Sequence, residues 1–195
     1  MSDAAAMRAA LDLYLLPSHL RLQRRAPIPG DVHELLLVAT GDEATTRSMA
    51  QTLERSPDTL QRAARFFIEE ILLDPQSNSY RVFGLEPDAP QDELRRNMYL
   101  LAKLLHPDYG LHPLSQHYAA RINLAWNDLK TPDRRAEYDE RNKKDGYSEA
   151  GFMASHGGSR SRQKAGSTHG PHHLRQPNVK TRFVDWLRRR AFGRS

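Results

Sequence analysis

The sequence predicts an all-α protein, and three observations carry that prediction. Apolar residues recur at helical spacing in three stretches: Leu60, Ala63, Ala64, Phe67, Ile68, Ile71 and Leu72; Leu94, Met98, Leu101 and Leu105; and Tyr118, Ile122, Ala125, Trp126 and Leu129. Prolines and glycines fall outside these stretches and mark breaks in the helical pattern, at Pro27, Pro29 and Gly30, at Pro57 and at Pro75. Ser56-Pro57 and Thr131-Pro132 read as helix starts, because the hydroxyl can accept from the first turn while proline lacks only a donor that this turn leaves unused.

Taken in order, residues 1–75 read as a helical N-terminal region. It has an Ala-rich start, a helix over 31–39, and a long stretch from Asp42 to Leu73 broken at Ser56-Pro57-Asp58. Residues 76–145 form a second helical set. Tyr80-Arg81-Val82-Phe83-Gly84-Leu85 opens it, 92–105 is a helix, and a second helix and a short third run to about Asn142, the third carrying Arg134, Arg135 and Tyr138. The stripes of the two long helices bury each other as an antiparallel hairpin, which puts His106-Pro107-Asp108 at its tip. Pro107 cannot continue a helix and biases His106 away from helical geometry, so the imidazole and the Asp108 carboxylate project from a stiff turn.

From 146 to 180 the chain is Gly, Ser, His, Arg and Gln with almost no aliphatic residues. Such a segment buries too little apolar area to offset chain entropy, so a disordered basic linker is expected. Residues 181–195 regain helical periodicity as a short basic amphipathic helix, with Phe183, Trp186 and Leu187 along one side and Arg188, Arg189 and Arg190 beside them.

Charge follows the same division. Residues 141–195 hold 13 Lys/Arg against three acids, a balance of +10, and the first 140 residues carry −5. The mean hydropathy of −0.72 agrees with a chain that is not all packed core. The absence of cysteine excludes a disulfide framework, a cysteine-ligated metal and a cysteine nucleophile. No apolar run is long enough to span a bilayer, and the N-terminus has an acid before its first base, unlike a secretory signal. A cytoplasmic setting is expected.

The residues 79–142 resemble the J-domain of DnaJ-type co-chaperones. The marks are Tyr80 and Gly84-Leu85 at the start, His106-Pro107-Asp108 between the two long helices, and Ile122, Ala125, Trp126, Leu129, Arg135, Tyr138 and Asp139 behind them. The resemblance implies a partner rather than a substrate: J-domains dock on a DnaK-type chaperone and stimulate its ATP hydrolysis. Carried over position by position, it assigns His106, Pro107 and Asp108 to triggering and Arg95, Arg96 and Lys103 to docking. No zinc-binding client domain and no Gly/Phe-rich linker of the DnaJ kind is present, so the likeness is to the divergent class that shares only the J-domain.

This chain also departs from the family. Tyr99, Leu100 and Leu104 stand where further bases are usual, so the basic face is thinned and a second apolar ridge appears. Packing of Leu100 and Leu104 on the N-terminal helices, with Phe66, Phe67 and Ile71 as the nearest candidates, is the expected explanation; an unusually apolar chaperone contact is the competing one.

Other chemistry is less well supported. His106 and Asp108, two residues apart across a proline, do not make a natural catalytic dyad, and no nucleophile is spaced to join them. His169, His172 and His173 have no acidic neighbour to complete a metal site, and Gly157-Gly158 lacks the strand and Lys-Ser/Thr of a phosphate loop. No catalysis, cofactor or metal is expected. For the basic end, charge alone would suit nucleic acid, whereas the interleaved Phe183, Trp186 and Leu187 better suit an anionic membrane surface or a partner's groove. The expected function is a co-chaperone whose flanks choose an unknown client or a location; the alternatives are an adaptor with a structural J-like hairpin, or a peripheral membrane or nucleic-acid binder acting through its basic end.

Overall fold

The computed structural model describes residues 4–105 and 115–144, and every regular element among them is helical. The 146–180 linker and the 181–195 segment, with Phe183, Trp186, Leu187, Arg188, Arg189 and Arg190, lie outside the described residues. The helices up to Lys144 belong to one compact unit. They are α1 (Ala5–Leu15), α2 (Leu20–Gln23), α3 (Val32–Ala39), α4 (Glu43–Leu53), α5 (Pro57–Phe67), α6 (Ser79–Val82), α7 (Gln91–Leu104), α8 (Ser115–Leu129) and α9 (Pro132–Lys144).

The helix starts are set locally. The Ser56 hydroxyl accepts from the Thr59 amide with Pro57 in the first turn, and the Asp42 carboxylate accepts from the Thr45 amide at the head of α4. At α9 the Thr131 hydroxyl accepts from the Arg134 amide at 3.3 Å. All seven residues of the 60–72 stripe are buried. Beyond Phe67, however, the chain widens into a π-turn over Ile68–Leu72, with the Leu73 amide reaching back five residues to the Ile68 carbonyl at 2.9 Å. This keeps Ile68, Ile71 and Leu72 inward.

α5 lies at the centre of the N-terminal layer, packed against α1, α3 and α4. α3 is the element that joins the two layers. Its sequence is apolar around nearly the whole circumference, and none of its residues is exposed. Such a helix needs cover on every side. α1 and α5 supply it on one side and α7 on the other.

The second layer is the antiparallel pair α7 and α8, with α6 and α9 against α8. The Gln91 side-chain amide at the start of α7 donates to the Leu129 carbonyl at the end of α8, at 2.9 Å. Leu94, Met98 and Leu101 are buried as the periodicity requires, but the stripe ends on Leu104 instead of Leu105. α7 stops at Leu104, and Leu105, as its C-cap, is half-buried. α9 is longer than the short helix expected, running for 13 residues.

Candidate functional site

α7 is built to end at a fixed place. Pro90 precedes its first residue, Asp92 and Glu93 lie in the first turn and Lys103 in the last, each where it opposes the end charge of the helix dipole. Its circumference is divided three ways. Leu94, Met98 and Leu101 form the stripe facing α8. Asn97, Leu100 and Leu104, at spacings of three and four, form a second buried stripe. Asp92, Arg95, Arg96 and Tyr99 are left outside or nearly so.

The second stripe faces α3. The His33 Nδ1 lies 2.8 Å from the Asn97 Oδ1, and the Asn97 amide donates to the Phe83 carbonyl at 2.9 Å. Because the Asn97 nitrogen is the donor to Phe83, its oxygen must accept, which places a proton on His33 Nδ1. Leu100 and Leu104 continue this line by one and two turns and are 7% and 4% exposed. Their burial contributes about 2 kcal/mol each. The apolar ridge is thus buried rather than solvated, on a helix against which α3 of the N-terminal layer packs. Phe66 is turned instead to Tyr14, the rings meeting edge to face with centroids 6.0 Å apart.

The cover stops short of the arginines. Arg95 and Arg96 have side chains 59% and 60% exposed, and their ion partners on the same helix are loose, Asp92 at 3.7 Å and Glu93 at 4.0 Å. Exposed pairs of this length hold little energy, so both guanidinium groups can be taken over by an acidic partner. Lys103 is half-buried and close enough to Asp42 for its charge to act there. The Asp42 carboxyl lies below its ordinary range mainly because the Thr45 backbone N–H and side chain bond it, with Lys103 the smallest contribution. Of the predicted docking residues, the structure therefore leaves Arg95 and Arg96 exposed near the start of α7 and sets Lys103 near Asp42, between α3 and α4. His106, Pro107 and Asp108 follow two residues after α7 ends and lie outside the described residues.

The start of this region is pinned from two sides. The Tyr80 hydroxyl donates to Asp139 at 2.7 Å and accepts from Arg135 at 3.0 Å, with the guanidinium 5.2 Å from the ring centroid. Burial first, then the Asp139 hydrogen bond, pushes the Tyr80 phenol up to about 12. The Ser79 amide donates to the Tyr138 hydroxyl at 2.8 Å, and the Ser79 hydroxyl to Asp128 at 2.7 Å. On the other side the Arg81 guanidinium donates to the Gln23 and Ala26 carbonyls at 3.0 and 2.9 Å. The sequence reading missed Arg81 and Asn97 as organising residues. The only signal for Asn97 was a lone amide at core spacing between Leu94 and Leu101.

Among the described residues no cluster of three or more His, Asp or Glu could hold a metal, and no helix is long and apolar enough to cross a membrane.

Comparison with known proteins agrees with this layout. The DnaJ domain family model matches residues 78–139, from the Asn78 cap of α6 to Asp139 on α9. The chain is similar to the Chaperone protein DnaJ of Lactiplantibacillus plantarum, 34% identical over 65 residues that cover 33% of this chain and 17% of the relative. It is also similar to a DnaJ-like protein of Mycoplasma genitalium, 36% identical over 69 residues, 35% of this chain and 12% of the relative. To DnaJ homolog subfamily C member 14 of Mus musculus it is 32% identical over 66 residues, 34% of this chain and 9% of the relative. The matched part thus spans less than a fifth of each of these relatives. No solved structure matches the chain. From the pins at Tyr80 and Tyr138 to the paired helices α7 and α8, residues 78–139 match a DnaJ domain, and the matches to these relatives are confined to about a third of the chain.

Proposed function

We propose that this protein is a co-chaperone that docks on a DnaK-type chaperone and stimulates its ATP hydrolysis, and that its N-terminal helices fix the direction of docking. The observation that carries this reading is the division of α7. Its Leu100 and Leu104 are buried and α3 packs on this helix, while Arg95 and Arg96 stay exposed near its start. A partner with an acidic surface can then approach from one side only. Lys103 adds charge at the edge of that approach, Asp108 can meet an arginine of the chaperone through a charge-assisted hydrogen bond, and the hydrolytic groups belong to the partner.

The reading also explains why the basic face is thinner than in the family pattern: bases at positions 100 and 104 would have to be buried beneath α3. Clients and location would be chosen outside the DnaJ domain, by the N-terminal layer or the basic C-terminal end.

The test is the ATP turnover of a purified DnaK-type chaperone with the full chain and with Arg95→Glu/Arg96→Glu. Loss of about tenfold in half-saturation, with the helical signal and melting temperature unchanged, is expected for two charge reversals at an interface rim. Equal stimulation by both proteins would remove the docking assignment, and stimulation by neither would favour the adaptor reading.

A further inference from the structure

At 3.6 residues per turn, Arg95, Tyr99, Asp92, Lys103 and Arg96 fall in that order across an arc of about 100° on α7. Four of them are exposed and Lys103 is half-buried, whereas every other residue from Leu94 to Leu104 is buried. The arc is therefore the face that this stretch of the helix presents to solvent. Near its middle is Tyr99, 44% exposed.

Tyr99 is the one aromatic side chain among the large apolar residues exposed in the described structure. Tyr14 has its ring on Phe66, and Tyr80 and Tyr138 have theirs on each other. A single exposed ring is ordinary in itself. The frame around this one gives it meaning: Arg95 and Arg96 lie one turn before it and Lys103 one turn after.

Charge on this face is thin. Three bases are set against Asp92, and Arg95 and Arg96 already have loose partners in Asp92 at 3.7 Å and Glu93 at 4.0 Å. Rim charges of this kind speed an encounter more than they hold a complex together. Lasting affinity comes from side chains that lose their water at the centre of a contact, where tyrosine and arginine are enriched. A tyrosine also brings a large rigid ring at low cost in conformational entropy. We propose that Tyr99 is the central anchor of the docking face, and that the chaperone partner receives its ring in an apolar recess rimmed by acidic groups. This rests on the chaperone reading of α7 and adds the chemistry by which the chain selects one DnaK-type chaperone over another. A chaperone whose matching surface is acidic throughout would suit a lysine at position 99 and is the poorer partner.

The test is titration of the parent, Tyr99→Ala, Tyr99→Lys and Tyr99→Phe against a purified DnaK-type chaperone. The readout is the half-saturation of ATPase stimulation at low and at high salt. Tyr99→Ala and Tyr99→Lys should each raise half-saturation about tenfold, and Tyr99→Phe no more than about threefold. The side chain is on the surface, so the melting temperatures should match the parent's. Tighter or unchanged docking by Tyr99→Lys at low salt would overturn the proposal, because the partner would then be reading charge at this position. So would parent-like half-saturation in Tyr99→Ala, or a loss in Tyr99→Phe as large as that in Tyr99→Ala. In each of those cases the parent still stimulates and Arg95→Glu/Arg96→Glu still weakens it, so the docking reading survives. Absence of stimulation by the parent would remove both.

Discussion

A β-carbon placed on Gly84 would lie 2.3 Å from the Val32 Cγ1, far inside contact distance. Gly84 also has φ of +65°, a backbone region that other residues enter only under strain. The glycine that marks the start of the DnaJ domain is therefore also a point of close approach to α3. Gly84→Ala combines left-handed strain with overlap against Val32 and should cost about 3 kcal/mol, read by chemical denaturation of the full chain. A change of only a few tenths would mean that α3 is not seated there.

The same interface predicts what happens when the N-terminal layer is removed. Residues 76–145 alone would expose Leu100, Leu104 and the Asn97 amide, all now buried. The fragment is expected to melt well below the full chain and to bind a hydrophobic dye. In the full chain, Asn97→Ala strands the Phe83 carbonyl and should cost about 2 kcal/mol. A fragment as stable as the whole chain would show that α3 only rests on α7.

Tyr80 gives a pH signature. Its phenol is raised from 10.0 to about 12 in the folded protein, with burial the larger cause and the Asp139 hydrogen bond the next. The unfolded chain therefore loses this proton first as pH rises. Stability from the group is complete below about pH 10 and is lost progressively toward pH 12. Tyr80→Phe should be less stable than the parent at neutral pH, because Asp139 and Arg135 lose a partner, yet should fall less steeply between pH 10 and 12. Parallel curves for the two proteins, measured by denaturant midpoint at each pH, would contradict the assignment.

Much of this architecture was legible because it is local. Caps at Ser56 and Thr131, the buried face from Leu60 to Leu72 and the pairing of α7 with α8 all follow from spacing within one or two helices. What could not be read depends on residues distant in sequence. Leu100 and Leu104 announced a missing partner, but nothing in their spacing points to α3, 60 or more positions earlier. Asn97 drew no notice in the sequence because its two hydrogen-bond partners, His33 and Phe83, are distant along the chain. The end of the α7 stripe moved from Leu105 to Leu104 because the helix closes there, and the π-turn at Ile68–Leu72 has no compositional sign. Within the site, Arg95 and Arg96 were found by charge and position, whereas the setting of Lys103 near Asp42 was not.

The central claim is that the DnaJ domain of this chain acts on a chaperone partner through His106-Pro107-Asp108. It is tested most directly by the single-turnover ATP hydrolysis of a DnaK-type chaperone with the full chain and with His106→Gln. The account predicts a severalfold acceleration by the parent that His106→Gln abolishes, with the folded stability of the two proteins equal. Equal acceleration by both, or none by the parent at concentrations where the two proteins bind, would contradict it.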